Sequence, residues 1–200
     1  MDTFEAIEQR RSVKYFDPQH KFTDKEKKEL LRLALLTPTS FNIQNYRLVV
    51  VEDPALRQKL KEAAWNQAQV TEASLLIIIC ADLNAWDRDP KRYWQNAPPD
   101  VQEKMSSLII KFYKDDKQLQ HDEAMRSTGL IAQTLMLTAK AMGYDSCPMV
   151  GFDFAKVAKI INLPKDHVVS MLVVVGKALQ PPRPRAGQLP VEELIRKNTF

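Results

Sequence analysis

The chain has 200 residues, with 29 Lys and Arg against 25 Asp and Glu, a net charge of +4, 44% hydrophobic residues and 27% charged ones. That is ordinary globular composition, long enough for a single domain whose core needs no disulfide. The positive surplus is small and interspersed with acids, which argues against a nucleic-acid module and fits a small anionic ligand. In chain order, Thr3 to Arg10 carries Phe4, Ala6 and Ile7 at helical spacing and leads into a basic cluster, Arg10-Arg11-Ser12-Val13-Lys14. Thr23 and Glu26 form a capping box, and the leucine-rich run through Leu36 predicts an apolar helix that stops before Pro38. Leu48-Val49-Val50-Val51 predicts a buried strand over Arg47 to Glu52, and Asp53-Pro54 opens a helix reaching about Trp65.

Leu75 to Ala81 reads as a second buried strand. Residues 83–119 read as an excursion over the core, with a helical piece near Val101 to Tyr113. Ser127 to Ala139 holds no charge and predicts a helix buried on every side, with Leu135 in its middle and Gly143 ending it. Such a helix is either central or also faces a partner subunit. A short helix capped by Asp153 over Phe154 to Asn162 and a third strand at Val168 to Val175 follow. The chain closes with an arm over 178–200, polyproline-like and ending in a small helix at Pro190 to Arg196. Strands separated by helices predict one layered α/β or α+β domain over 1–200.

Several chemistries are excluded by what the sequence lacks. The five glycines form no G-x-G-x-x-G fingerprint, P-loop or G-x-S-x-G elbow. His20, His121 and His167 and the cysteines Cys80 and Cys147 lack the local spacing of a metal site, so no metal is expected. Two reduced, buried thiols, no signal-peptide pattern and no apolar run of about 18 residues point to a cytoplasmic protein without membrane contact.

Three segments can carry chemistry. Guanidinium forks beside a hydroxyl, Arg10-Arg11-Ser12 and the distant pair Arg183 and Arg185, suit a phosphate monoester; as a solvated turn and tail they need no ligand. Thr37 to Gln44 packs hydroxyls and amides into eight positions, enough to bind a polar ring or only to satisfy its own turns. Cys147 to Asp153 bends at Gly151, which gives a flat ligand close approach to the backbone or serves a plain strand-to-helix turn.

Taken together, these segments resemble a known family. Arg10 to Phe16 is similar to its opening R-R-S-x-R/K-x-F, Pro38 to Gln44 to its P-S/T-S-x-N-x-Q, and Pro148 to Phe152 to its P-x-x-G-F, with a strand ending at Gly176 and a basic pair beyond. The ordered set, running from residue 10 to residue 185, resembles the FMN-dependent nitroreductases. The resemblance implies a three-layer α+β fold, a central, mainly antiparallel sheet flanked by helices, in an intertwined homodimer with FMN at the interface. It also implies a ping-pong transfer of hydride from NAD(P)H to a nitroaromatic, quinone or activated-alkene acceptor. A flavin-sequestering protein with little turnover is the alternative. By the same resemblance, Arg10, Arg11, Ser12, Arg183 and Arg185 hold the phosphate end, while Lys14, Asn66 and Gln69 meet the ring. Pro148, Met149, Val150 and Gly151 lie beside its reactive centre, and Pro38, Thr39, Ser40 and Asn42 arrive from the partner. Phe41, Phe112 and Tyr113 line the substrate face. Three positions depart from the common pattern: Val150 stands for Glu, Gln69 for Lys and Asn45 for Pro.

Overall fold

The first two helices are set by capping boxes. In the computed structural model, which describes residues 1–200, α1 (Thr3–Gln9) is closed by Asp2 and Glu5, and α2 (Asp24–Ala34) by Thr23 and Glu26. The α2 helix ends before Leu35 and Leu36, which the leucine run had placed inside it; both are exposed. Glu26 accepts hydrogen bonds from the Thr23 hydroxyl and backbone N–H and from the Tyr144 hydroxyl at 2.6 Å. These donors, Thr23 foremost, hold its carboxyl down from 4.5 to about 2. A carboxylate depressed in the folded state contributes stability that is complete above its ordinary value and is lost as the pH falls through about 2. Glu26→Gln is therefore expected to flatten the fall in stability on the acid side of that ordinary value. Urea unfolding at a series of acidic pH values checks this, and an unchanged acid slope would contradict it.

The chain then lays down β1 (Tyr46–Val51), α3 (Pro54–Ala63), α4 (Gln69–Glu72) and β2 (Leu75–Asp82). After two short 3-10 turns come α5 (Pro99–Tyr113) and the long α6 (Lys117–Ala141), followed by β3 (Asp145–Met149), α7 (Phe154–Ile160), β4 (His167–Gly176) and the single-turn α8 (Val191–Leu194). The strands form one antiparallel sheet in the order β1-β2-β4-β3. Both inner strands are sandwiched between helices, so alternation sends side chains to opposite cores. Leu76, Ile78, Leu172 and Val174 pack with Leu60, Ala63, Val70 and Val157 on one face. Leu75, Ile77, Val173 and Val175 pack with Leu30, Ala34, Ile131 and Leu135 on the other. Three layers follow, helix, sheet and helix, as the resemblance implied. Burial pushes the Cys80 thiol up to about 11 and raises that of Cys147, which disfavours the thiolate at both.

The α6 helix begins ten residues before Ser127, because Asp116 caps it by accepting from the Leu119 N–H at 2.9 Å. Its end is a Schellman motif, with Gly143 at φ +80° and Tyr144 N–H bonded to Ala139 C=O at 2.9 Å. It is not buried on every side. Leu135 is sealed in the chain's own core, whereas Gly129, Leu130 and Gln133 face outward, Leu130 with 48% of its surface exposed. Leu130, not Leu135, is thus the residue available to a partner. No helix is long and apolar enough to cross a membrane.

At one end of the sheet the carboxylate of Asp82, 1% exposed, accepts from Arg47 at 2.6 Å and lies 3.2 Å from Arg88. Arg88 also pairs with Asp166, which bonds His167 at 2.7 Å. Arg47 further donates to the Gln44 carbonyl at 2.9 Å, and Asp82 N–H donates to Asn45 C=O at 2.9 Å. This network ties the 37–44 loop to the sheet. Asp82, Asp166 and His167 cluster closely enough to suggest a cation site, yet the two guanidiniums already supply the compensating charge.

Candidate functional site

After α1 the chain runs extended along the free edge of β3: Ser12 pairs with Ser146 in parallel register, and Val13 N–H donates to Ser146 C=O at 3.0 Å. Phe16 then pairs with Ala178, beyond β4. The tail returns to the same corner. Arg11 donates to the Arg183 carbonyl, and Arg185 donates to the carbonyls of Glu8 at 2.9 Å and Arg10 at 3.2 Å, at the C-terminal end of α1. The result is an open pocket of about 410 Å³ lined by Arg10, Arg11, Ser12, Arg183, Arg185 and the turn up to Gln188. The guanidiniums of Arg10 and Arg183 and the Ser12 hydroxyl are left without a protein partner, and no carboxylate pairs with any of the four arginines. Positive charge gathered this way and left uncompensated can hold an anion, and the mixture of forks and a hydroxyl suits a phosphate.

At the other end of the same edge lies the turn that follows β3. Pro148 is half-buried and Met149 is packed in the core, so Met149 has only its backbone to offer a ligand. Val150 is 65% exposed. Gly151 does not occupy the left-handed region, so its role is space and not backbone conformation: a Cβ there would come within 3.1 Å of the Trp65 indole. Trp65 and Asn66 themselves take left-handed φ values of 52° and 57°, which ends α3 before Trp65 and leaves the indole 69% exposed beside the glycine. Gln67 Nε2 donates to the Gly151 carbonyl at 2.7 Å, and the buried Gln69 donates to Gln67 Oε1 at 3.0 Å. Gln69 therefore sits behind the turn, with its amide on Gln67. Lys14 is exposed near Cys147, where its charge opposes the rise that burial imposes on the thiol. Trp65 and Gln67 escaped the sequence reading. The amide-rich run Asn66-Gln67-Ala68-Gln69 was the available signal, masked by the apparent continuation of a helix.

The third segment lies elsewhere. Residues 37–44 lead into β1, the opposite edge of the sheet, so a single chain does not bring Pro38, Thr39, Ser40 and Asn42 to the arginine pocket. Much of the loop's polarity is spent internally: Thr39 Oγ1 accepts from Gln44 N–H at 3.0 Å, and Asn42 Nδ2 donates to Tyr93 C=O at 2.8 Å. Phe41 packs on Phe112 with ring centroids 5.3 Å apart, and both keep exposed surface. Tyr113 meets both rings, with centroids 6.2 Å from Phe41 and 5.1 Å from Phe112, but is itself closed off from solvent. At 1% exposed it belongs to a small core with Ile43, Tyr93 and Ile109, because one step along α5 turns it about 100° away from Phe112. A cavity of about 550 Å³ near Lys21, Lys27 and Arg57 has cations already engaged. Lys27 pairs with Glu52, and Arg57 donates to the carbonyls of Val51, Ala73 and Ser74.

Known proteins resemble this chain over nearly its whole length. A family model described as the nitroreductase family matches residues 7–177. Protein DrgA of Synechocystis sp. is 52% identical over 200 residues, covering 98% of this chain and 95% of that protein. MhqN of Bacillus subtilis, named as an NAD(P)H nitroreductase, is 32% identical, with 94% and 95% covered. A structure titled as a nitroreductase in complex with FMN, from Exiguobacterium sibiricum, matches with a TM-score of 0.91 at 28% identity over 98% of this chain and 97% of that one. With the antiparallel sheet, the basic pocket and the glycine turn at its edge all in place, the chain belongs to the nitroreductase family.

Proposed function

We propose that the protein is an FMN-dependent oxidoreductase that uses NAD(P)H and works as a homodimer. The observation that carries this reading is the parallel pairing of Ser12 with Ser146, which puts the uncompensated arginines and the Gly151 turn on one sheet edge. Gly151 lies five residue steps beyond Ser146, roughly 16 Å of extended chain, which accommodates a phosphate, a polyol and a flat ring in that order. The donor set fits FMN: Arg10, Arg11, Ser12, Arg183 and Arg185 for the phosphate, Lys14 and Asn66 for the polar edge of the ring, and the glycine surface for its face. Bound there, FMN supplies two-electron hydride chemistry, in one half-reaction with NAD(P)H and in a second with a nitro, quinone or activated-alkene acceptor. The chain's own residues bind, orient and polarise. Lys14 offers positive charge to the ring edge and the uncommitted Gly151 N–H offers a donor, while Phe41 and Phe112, which lie with the 37–44 loop, would offer apolar surface to an acceptor from the partner.

A two-fold partner would complete the site with Pro38, Thr39, Ser40 and Asn42. Exposed apolar groups support such a partner, because Phe4 of α1, Leu36 after α2 and Leu130 of α6 stand on elements that pack on one another. The direct test is the absorbance spectrum of purified protein, followed by anaerobic titration with NADPH and NADH. Flavin absorbance that bleaches with either nucleotide is the expected result. Flavin that never bleaches would make the protein a sequestering one, and failure to bind added FMN would overturn the reading.

Gly151→Val is expected to retain FMN through the distant phosphate contacts and to slow its reduction by NAD(P)H roughly tenfold. A branched side chain must displace the indole or Gln67, and overpacking of that kind costs about 1–3 kcal/mol. Rapid-mixing absorbance measures the rate, and an unchanged value would remove this turn from the flavin.

A further inference from the structure

We infer that Gln67 and Gln69 form a two-amide clamp that fixes the Gly151 turn with its N–H pointed outward, making both of them positioning residues for the flavin; the inference rests on the reading above. A glycine turn at a ligand face is free to flip its peptides, and this one is held at both carbonyls. Phe152 N–H donates to Val150 C=O at 3.2 Å, and Gln67 Nε2 donates to Gly151 C=O at 2.7 Å. Asp153 N–H is fixed in turn on the Ala63 carbonyl at 2.9 Å, so the only unengaged N–H of residues 151–153 is that of Gly151.

The direction of the clamp is set by chemistry. A carbonyl needs a donor, so Gln67 must present its NH2 to Gly151 and its oxygen to the other side, where only a donor can satisfy it. Gln69 fills that need at 3.0 Å. It is buried, 4% exposed, and a buried amide that spends its donor on another side chain's oxygen makes the orientation of that side chain single-valued. Trp65, over the glycine, closes the third side. At position 69 the requirement is therefore for a donor. A lysine, the common residue of the family pattern, meets it as well as glutamine does, whereas a carboxylate does not.

The test uses Gln67→Glu and Gln69→Leu in the full-length protein. The first is nearly isosteric and turns a carboxylate oxygen on the Gly151 carbonyl; the second removes the donor behind it. FMN binding to apoprotein, read by quenching of flavin fluorescence, is expected to weaken at least about tenfold in both variants at pH 8. For Gln67→Glu the gap to wild type should narrow as the pH falls toward about 5, where a half-buried carboxyl regains its proton and can donate to Gly151 again. For Gln69→Leu the gap should not depend on pH. Charges on the elements around the turn, Lys14, Lys61, Glu62 and Asp153, are common to all three proteins and cancel in the comparison.

Amide hydrogen exchange of the flavin-free proteins is the second readout, with faster exchange expected at residues 150–153 of both variants. If Gln67→Glu fails to fold, Gln67→Met carries the affinity and exchange measurements in its place. FMN affinity within twofold of wild type, or a Gln67→Glu gap that ignores pH, would overturn the clamp. If wild-type protein binds no FMN, the proposed function falls by itself. Exchange at 150–153 then decides whether the clamp exists, and unchanged exchange would remove it too.

Discussion

Replacing Arg183 and Arg185 together with alanine is expected to weaken FMN binding about a hundredfold or more while leaving the fold of the apoprotein in place. Each residue would contribute a charge-assisted hydrogen bond to a phosphate, worth about 1.5–3 kcal/mol, and each such loss is about tenfold or greater. The fold should survive because residues 183–200 are exposed throughout and the Arg183 side chain makes no hydrogen bond or ion pair within the protein, its carbonyl alone being engaged by Arg11. The two single variants should differ. Arg183→Ala removes only a ligand contact, whereas Arg185→Ala also releases the carbonyls of Glu8 and Arg10 and lets the tail leave the α1 end. The site is open to solvent, so the loss should be largest at low ionic strength and shrink as salt is added. Titration of apoprotein with FMN at two salt concentrations, alongside thermal melting, measures both effects. Tight binding by the double variant would mean that the tail is only a solvated arm.

The sequence made some of this legible and hid the rest, for physical reasons. The strands were visible because Leu75 to Ala81 and Val168 to Val175 are apolar at every position or nearly so, as a strand between two helical layers must be. Caps were visible because Asp53, Thr23 and Asp153 act on N–H groups two or three residues away. The basic pocket was visible as two contiguous clusters. Its counterpart on the 37–44 loop was visible as polarity, but nothing local could reveal that Asn42 is spent on Tyr93, fifty-one positions away. The same limit separated Phe112 from Tyr113. Adjacent aromatics in an excursion with no clear period look alike until packing assigns one to the surface and one to a core.

The α6 helix shows a subtler failure. Its uncharged half promised burial all round, yet Gly129, Leu130 and Gln133 form an outward stripe, because the lack of charge on a face does not say whether its own core covers it. The clamp on Gly151 went unseen for a different reason. It depends on the left-handed turn at Trp65 and Asn66, a conformation that neither residue advertises.

Least legible of all was the ion network at Asp82, assembled from residues 47, 82, 88, 166 and 167, and it leads to the other large expected effect. Asp82→Asn keeps the shape and removes the one buried negative charge that faces Arg47 and Arg88. Breaking a buried pair from one side costs about 3–5 kcal/mol, because the surviving partner is left uncompensated. Here the arginine side chains are 38% and 42% exposed, so water reaches them, and the loss should fall near the lower end, about 3 kcal/mol. The consequence should reach beyond stability. Arg47 bridges Asp82 and the Gln44 carbonyl, so the loop that a partner subunit would receive loses one of its anchors to the sheet. Urea unfolding of apoprotein at neutral pH measures the first effect and FMN affinity the second, with Arg32→Ala, a member of an exposed pair with Glu29, as a control that should leave the unfolding midpoint nearly unchanged. A loss from Asp82→Asn no larger than the control's would show that solvent already compensates the two arginines and that the loop is held by its backbone hydrogen bonds alone.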